Sequence, residues 1–360
     1  MKSVLLDEIL REYIEKEWHQ KKVVFVLPSK RSAHYAREKL KSICSDKKMS
    51  LVVPEFLSPD ELIERITGLI TLSQIDLIYY LYLSYQNILN DEAEEYFKFV
   101  KWAPVLLNDF NDVGMFLPND ATKQKNIFTN LKNIKEIANW SLNREPLSEK
   151  QKQYLNFMEK CYDIFCDFNN TLIQNGYAYA GLNYQKAVEQ LTSTSLPAFI
   201  TQKDLFVFVG LYAITPAEHK IYDSLKKMNK ALFYWDYDPY YLKQEHEASV
   251  YFHKNFEAFG KNEITHSKFD EEKSIGIFSC SGEIEETLCV KKILTDLLNR
   301  DSELNDTAII LNKPENLELI LSAIPENVNY NVSMEFPLSR LSAFHFIIQV
   351  IKVFLSIDKD

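Results

Sequence analysis

The chain has 360 residues, a net charge of −10 at neutral pH and 46% hydrophobic residues. This composition excludes a disordered chain, and the length is typical of two or three domains. The acidic balance argues against a surface coated with Lys and Arg for nucleic-acid binding, although it is compatible with a local basic groove. No apolar run reaches the roughly 18 residues of a membrane span, so no membrane association is predicted. The five cysteines include no CxxC pair, which indicates reduced thiols and a cytoplasmic protein.

The first predicted elements alternate between helix and strand. Residues 3–20 have apolar side chains at helical spacing. Residues 23–28 form a Val-rich apolar run that is typical of a buried parallel strand. A helix is predicted over 31–44, with Ser29 as its cap, and a second strand and helix within 51–66, where Ser58 is the predicted N-cap. This order favours an α/β domain.

A long helical block interrupts the alternation. From residue 71 to residue 195 the sequence is rich in aromatic residues at helical spacing, including residues 126–142. Apolar strand patterns return at 204–211 and 230–238, and between them a helix is predicted over 215–229, with Thr215 at its start. The predicted organisation is a first α/β domain formed by residues 1–70 and 196–240, with residues 71–195 as a large helical insertion.

The last part of the chain predicts a second α/β unit. Residues 241–272 are polar and irregular, which indicates a connector. Within residues 273–360, strands are predicted at 275–282, 306–312 and 328–334, alternating with helices. The pattern stops inside this unit, so we expect the sequence to be part of a longer protein.

No catalytic residue, metal site or cofactor is predicted within this chain. The phosphate-binding pattern GxxxxGKS or GxxxxGKT does not occur, and its nearest fragment, Gly260–Lys261, is followed by Asn262. The seven histidines are scattered along the sequence. Asp236 and Asp238, in the segment WDYD, could hold Mg²⁺ at a strand end, but a structural role in capping a turn is favoured.

Two basic residues are the candidate DNA contacts. Lys30 and Arg31 follow the first strand, where α/β folds bind phosphates beside a helix start. We predict that both contact the DNA backbone; the alternative is that they are solvated charges at a helix start. Aromatic side chains of the helical block could stack on single-stranded bases. Their helical spacing instead favours packing in a core.

Several segments resemble one protein family. VVFVLPSKRSAHYAREKL and FLSPDELI resemble the start of AddB/RexB-like proteins and, more closely, PD-(D/E)XK exonuclease-family proteins of Bacteroidetes. The resemblance continues through FVGLYAITPAEHKIYDSLKKMNKALFYWDYDPYY and DTAIILNKPENLELIL. It implies a front part similar to UvrD-type helicases, with a RecA-like parallel-sheet domain, a large helical insertion and part of a second RecA-like α/β domain.

The sequence departs from that family pattern at the positions that would handle ATP. In an active UvrD-type motor, the strand matching LFVFVGL would end in Asp-Glu, but Gly210 and Leu211 stand here. The strand matching DTAIILN would be followed by an Arg, but Asn312 stands here. We therefore expect loss of ATP hydrolysis.

The resemblance implies a role in processing DNA ends during double-strand-break repair. This chain would guide or bind DNA beside an AddA-type helicase–nuclease subunit. The PD-(D/E)XK nuclease domain, with its Mg²⁺ and in some members an iron–sulfur cluster, would lie beyond residue 360. The alternative is a protein–protein scaffold module of the nuclease complex that does not contact DNA.

Overall fold

The computed structural model describes residues 5–132, 149–243, 245–262, 267–300, 304–305, 307–334 and 338–357. The chain divides into two compact units, Met1–Glu271 and Glu272–Asp360. Among the described residues, no helix combines the length and the apolar character that crossing a membrane requires.

The first unit contains six strands and twelve α-helices in its described residues. The elements up to residue 116 are α1 (Leu5–Glu15), β1 (Val23–Val26), α2 (Lys30–Asp46), β2 (Glu55–Leu57), α3 (Pro59–Thr67), β3 (Ile70–Thr71), α4 (Gln74–Leu89), α5 (Tyr96–Phe99) and α6 (Ala103–Phe116). They are followed by α7 (Ala121–Lys132), α8 (Glu149–Gln174), β4 (Tyr177–Ala178), α9 (Ala180–Thr192), α10 (Ala198–Gln202), β5 (Leu205–Val209), α11 (Pro216–Lys227), β6 (Ala231–Tyr234) and α12 (Ala248–Phe259).

A parallel sheet with the strand order β2-β1-β5-β6 lies at the centre of this unit. Every residue of β1 is buried, and in β5 all but the first residue are buried. Both strands are continuous apolar runs because helices cover the two faces of the sheet. The predicted α/β class with a parallel sheet is thereby confirmed.

Helices pack on both faces of the sheet, since alternate side chains of a strand point in opposite directions. On one face, Ile9 and Leu10 of α1 and Leu40 of α2 share a core with Phe25 and Val207. On the other face, α3, α9, α11 and α12 share a core with the remaining strand residues. That core includes Val24, Phe206, Phe208, Leu62, Val188, Ile221 and Phe252.

Helices α4 to α8, within residues 74–132 and 149–174, form a separate helical cluster with an aromatic core. The rings of Tyr85 and Phe99 lie 4.7 Å apart, and those of Phe110 and Phe165 lie 5.0 Å apart. The two-residue strands β3 and β4 pair in parallel where the chain enters and leaves this cluster. The helical character predicted for 71–195 is confirmed in the described residues apart from β3 and β4. Part of the helix predicted over 126–142, from residue 133 onward, lies outside the described residues.

Two glycines allow α6 and α9 to touch backbone to backbone. A Cβ atom on Gly114 would overlap the carbonyl group of Gly181 and lie 2.8 Å from its Cα atom. A Cβ atom on Gly181 would overlap the carbonyl of Asn111, whose Oδ1 accepts a hydrogen bond from Gly181 N at 2.7 Å. Helix α9 also contributes Leu182 to the core of the helical cluster and Val188 to the core on the sheet. The crossing therefore ties the helical cluster to the sheet.

The connector predicted over 241–272 contains a helix that the sequence analysis missed. Helix α12 packs its buried residues Phe252 and Phe259 against the core on the sheet. Aromatic residues at 252, 256 and 259 have helical spacing, and this signal was obscured by the polar residues between them. The prediction of an irregular connector is therefore wrong for residues 248–259.

The second unit contains α13 (Glu283–Arg300), α14 (Leu317–Ala323) and α15 (Ser342–Ile357). Leu294 of α13 and Leu317 and Ile320 of α14 are buried, and these two helices are in contact. The predicted helices of this unit are confirmed in type. The predicted domain boundaries of the whole chain stay a prediction.

The prediction of three strands in the second unit is wrong, because none of them forms in the described residues. Segments 275–281, 307–311 and 328–333 pair with no other segment in the described part of this unit. Ile277 and Ile310 are almost fully exposed. An apolar run becomes a strand only when a neighbour completes its hydrogen-bond ladder, and sequence patterning does not supply that neighbour. The sheet of the predicted partial RecA-like domain over 273–360 is accordingly not formed in the described residues.

The α6–α9 contact predicts an unusual response to alanine. At an ordinary helix position, replacing Gly by Ala stabilises the helix by about 1 kcal/mol. We expect Gly114→Ala and Gly181→Ala instead to lower the free energy of unfolding by about 1–3 kcal/mol, because the backbones must separate. Urea unfolding followed by circular dichroism measures this, with Asn108→Ala at an exposed position of α6 as the control. A more stable Gly114→Ala protein would contradict the close contact.

Candidate functional site

The strand order defines a candidate site at the carboxyl ends of β1 and β5. From β1 the chain moves to β2 on one side, and later returns to β5 on the other side. Ligands of open α/β sheets bind outside the carboxyl ends of the strands at such a reversal. Pro28 follows β1 and Gly210 follows β5, and a Cβ atom on Gly210 would lie 3.8 Å from Pro28 Cγ. The structure therefore brings the loop that precedes Lys30 and Arg31 close to the loop that contains Gly210 and Leu211.

A side-chain cap fixes the start of α2 at this edge. Ser32 N donates to Ser29 Oγ at 3.1 Å, and Ser29 N donates to Ser32 Oγ at 3.0 Å. Ser29 is thus the N-cap, as predicted, and the helix begins at Lys30. Lys30 and Arg31 occupy the first turn of α2 and are both exposed. The positive end of the helix dipole lies at the same place.

Lys30 is engaged by a neighbouring carboxylate. Its Nζ lies 3.5 Å from Glu61 Oε1, while 78% of its side chain remains exposed. Glu61 also accepts a hydrogen bond from Ser58 N at 2.9 Å, within the cap of α3. Burial opposes ionisation of Glu61, but the hydrogen bonds from Ser58 and the charge of Lys30 together hold the pKa of Glu61 below its usual value. Glu61 is therefore ionised and competes with any phosphate for Lys30.

Arg31 has a different environment. It lies on the exposed side of α2 with His34 and Arg37, at intervals of three residues that place them along one side of the helix. Within the described residues, neither Arg31 nor Arg37 forms an ion pair. The lysines farther along α2 are paired with carboxylates: Lys39 with Asp7 at 3.1 Å and Lys41 with Glu38 at 2.6 Å. The first half of α2 therefore presents two exposed arginines that form no ion pair within the described residues.

Lys30 also lines an acidic cavity of about 230 Å³. Asp60, Glu61 and Glu64 of α3 line it together with Tyr184 of α9. The Tyr184 hydroxyl donates to Asp60 Oδ1 at 3.0 Å. Burial, and then the charge of Asp60, raise the pKa of Tyr184 far above its usual value, so the hydroxyl keeps its proton. Three carboxylates make this cavity unsuitable for a phosphate.

The end of β5 carries neutral side chains. Gly210 adopts a left-handed backbone conformation with φ of 70°, and Leu211 packs against the core on the sheet. Tyr212 follows and donates its hydroxyl hydrogen to the carbonyl oxygen of Asp236 at 2.8 Å. Burial and the nearby charge of Asp236 raise the pKa of Tyr212 to about 12. Because neither Gly210 nor Leu211 offers a carboxylate, these two positions do not fit a Mg²⁺ ion.

The acidic segment WDYD has a structural role at Asp238. Asp238 Oδ1 accepts a hydrogen bond from Tyr240 N at 2.9 Å and caps the short 3-10 turn Pro239–Leu242. Its Oδ2 accepts another from Phe269 N at 2.9 Å. In the part of the chain that the structure describes, no group of three or more potential metal ligands occurs. Asp236 is exposed and contributes its backbone carbonyl to Tyr212.

The fragment Gly260–Lys261 ends a helix and does not form a phosphate loop. Gly260 is the C-cap of α12 with φ of 92°, and Lys261 Nζ lies 5.3 Å from the ring centre of Tyr237. The next residue has a role that the sequence analysis missed. Trp235 N donates to Asn262 Oδ1 at 2.8 Å, and Asn262 Nδ2 donates to Trp235 O at 3.1 Å. Local sequence gives no signal for this pair, because its members are 27 residues apart.

Asn312 belongs to the second unit. It is exposed and follows segment 307–311, for which no strand partner is found in the described residues. Among the aromatic residues of the helical cluster, many pack in its core as predicted, including Phe110 and Phe168. Tyr79, Tyr96 and Phe97 are exposed exceptions on α4 and α5.

Comparison with known proteins yields no family. No protein-family model matches the chain, and no curated protein has a significantly similar sequence. The function has to be inferred from the geometry of the candidate site.

The Glu61–Lys30 pair predicts a pH-dependent contribution to stability. The pKa of Glu61 is lower in the folded protein than in the unfolded chain. The ionised carboxylate therefore stabilises the fold at pH values above the unfolded-state pKa, and this stabilisation is lost as the pH falls through the folded-state pKa. We expect Glu61→Gln to lower the free energy of unfolding by less than about 1 kcal/mol near pH 7, since Lys30 is largely exposed and solvent screens the pair.

Urea unfolding at about pH 7 and about pH 3 tests this pair, because the difference from the unmodified protein should disappear at the lower pH. Glu257→Gln, at an exposed position of α12, is the control and should show no such dependence. An equal loss of stability at both pH values would indicate that the Glu61 carboxylate does not act through its charge.

Proposed function

We propose that this chain is a non-hydrolytic, helicase-like region that binds the DNA backbone and guides it during end processing. The observation that carries this proposal is the exposed basic start of α2 at the reversal of strand order. Arg31 and Arg37 form no ion pair within the described residues, and the positive end of the helix dipole points toward the same edge. A phosphate group placed there meets guanidinium groups and the helix start together.

The neutral end of β5 supports the non-hydrolytic part of the proposal. A motor that hydrolyses ATP needs a phosphate cradle after one strand and carboxylates that hold Mg²⁺. Here Pro28 and the Ser29 cap follow β1, and Gly210 and Leu211 follow β5. These residues favour a RecA-like scaffold, as implied by the AddB/RexB resemblance, in which the nucleotide site has been replaced by a binding surface for DNA.

The charges around the site suggest where a strand would run. The acidic cavity beside α3 repels phosphate, whereas the exposed side of α2 with Arg31, His34 and Arg37 attracts it. Lys30 lies between the two and is held by Glu61. We therefore assign Arg31 the larger contribution and Lys30 the smaller one. Cleavage would be carried out by the nuclease domain that the resemblance places beyond residue 360.

The proposal predicts salt-dependent binding of DNA that requires α2. We expect a labelled single-stranded oligonucleotide to bind the full chain, with log affinity falling linearly with log salt. Each phosphate contact adds about 0.7 to the slope, so Arg31→Ala/Arg37→Ala should lower its magnitude by about 1.4. Lys30→Ala should have a smaller effect than Arg31→Ala. Fluorescence anisotropy at several salt concentrations measures both quantities.

Lys101→Ala/Lys254→Ala is the matched control, since it removes two exposed positive charges from other helices or turns of the same unit. Thermal unfolding of all variants confirms that they are folded. If the control lowers the slope as much as the α2 variant, binding is non-specific and α2 is not the site. DNA-stimulated ATP hydrolysis by the chain would contradict the non-hydrolytic role, and absence of binding at low salt would favour the scaffold alternative.

A further inference from the structure

An apolar groove opens on the helical cluster, away from the residues discussed above. It has a volume of about 390 Å³ and lies between α6 and α7, with Cys161 of α8 at its base. Burial raises the pKa of Cys161 to about 12, so its thiol is neutral and behaves as an apolar side chain. The groove is lined by Leu106, Val113, Phe116, Leu117, Ile127 and Phe128. This size is within the roughly 300–1,000 Å³ of pockets that bind ligands.

Two carboxylates of α6 also line this groove. Asp109 and Asp112 are exposed and lie three residues apart, so their side chains are neighbours on the helix surface. Within the described residues, neither forms an ion pair. Burial, and then the charge of Asp112, raise the pKa of Asp109 above its usual value. The two like charges repel each other, and a cation placed at the groove would relieve this repulsion.

The groove continues into an exposed stripe along α6. Val105 is 63% exposed and Phe116 is 55% exposed, with the two aspartates between them in the chain. Val105, Asp109, Asp112 and Phe116 follow one another at intervals of four, three and four residues. This spacing places the four side chains on one side of the helix over about 16 Å. Ile127 of α7, 41% exposed, faces the same groove. The stripe is therefore apolar at its two ends and acidic in the middle.

We propose that this groove binds a basic amphipathic helix of a partner protein. Apolar side chains of that helix would enter the groove and cover Val105 and Phe116, and Lys or Arg side chains between them would face Asp109 and Asp112. The helical spacing of the stripe matches the recurrence of anchors along a docked helix. Nucleic acid is disfavoured as an occupant because the two carboxylates repel phosphate.

The inference is independent of the DNA-binding proposal. The groove involves α6, α7 and α8, whereas the proposed DNA site involves α2 and the ends of β1 and β5. Loss of one site by substitution leaves the residues of the other unchanged. Each proposal can therefore be tested, and can fail, without the other.

Two synthetic helical peptides test the groove with the full chain. Both carry leucines along one face, and the middle of that face has two lysines in one peptide and two glutamates in the other. We expect the lysine peptide to bind at least about tenfold more tightly than the glutamate peptide at low salt. Asp109→Lys/Asp112→Lys should reverse this preference. Phe116→Ala should weaken binding of the lysine peptide by about fivefold or more, because an exposed apolar anchor is lost.

Glu247→Gln/Glu257→Gln is the matched control, since both residues are exposed acids near or within α12. Asp109→Asn/Asp112→Asn, which changes the net charge by the same amount as the control, should abolish the preference for the lysine peptide, whereas the control should leave it intact. Far-UV circular dichroism shows whether each variant is folded. The proposal is overturned if neither peptide binds the unmodified chain, if both bind equally well, or if the α12 control abolishes the preference as the α6 variant does.

Discussion

The direct backbone contact between Gly114 and Gly181 determines how the first unit is assembled. Helix α9 belongs to two cores at once, and α6 can approach it closely because neither glycine has a side chain. At roughly 100° per residue, the exposed stripe from Val105 to Phe116 lies on the side of α6 opposite Gly114. The same contact that attaches the helical cluster to the sheet therefore turns the exposed stripe of α6 outward.

The net charge of −10 conceals a separation of charge within the first unit. The first half of α2 presents arginines that form no ion pair in the described residues, while α3 and α6 present carboxylates around cavities. Surface charges separated by more than about 8 Å interact weakly at physiological ionic strength. The two proposed binding surfaces therefore differ in sign of charge, and the total charge alone does not indicate the basic one.

Local signals in the sequence were sufficient for some elements and insufficient for others. The buried strands β1 and β5 and the caps Ser29, Ser58 and Thr215 could be predicted, because each depends on adjacent residues. The position of Lys30 and Arg31 after β1 was also predictable. The Glu61 contact of Lys30 was not, since it joins two helices through the fold. The strands predicted after residue 272 failed for the related reason that pairing needs a neighbour that the pattern does not specify.

The Asn262 side chain has a consequence for self-association. Strand β6 lies at the border of the sheet, where unpaired backbone groups could recruit a strand from another molecule. Asn262 instead satisfies the N–H and carbonyl of Trp235, just beyond β6, with its own amide. Trp235 Nε1 reinforces the arrangement by donating to the carbonyl oxygen of Gly260 at 2.8 Å. One amide side chain thereby keeps both backbone groups of Trp235, directly after the edge strand, from pairing with a strand of another molecule.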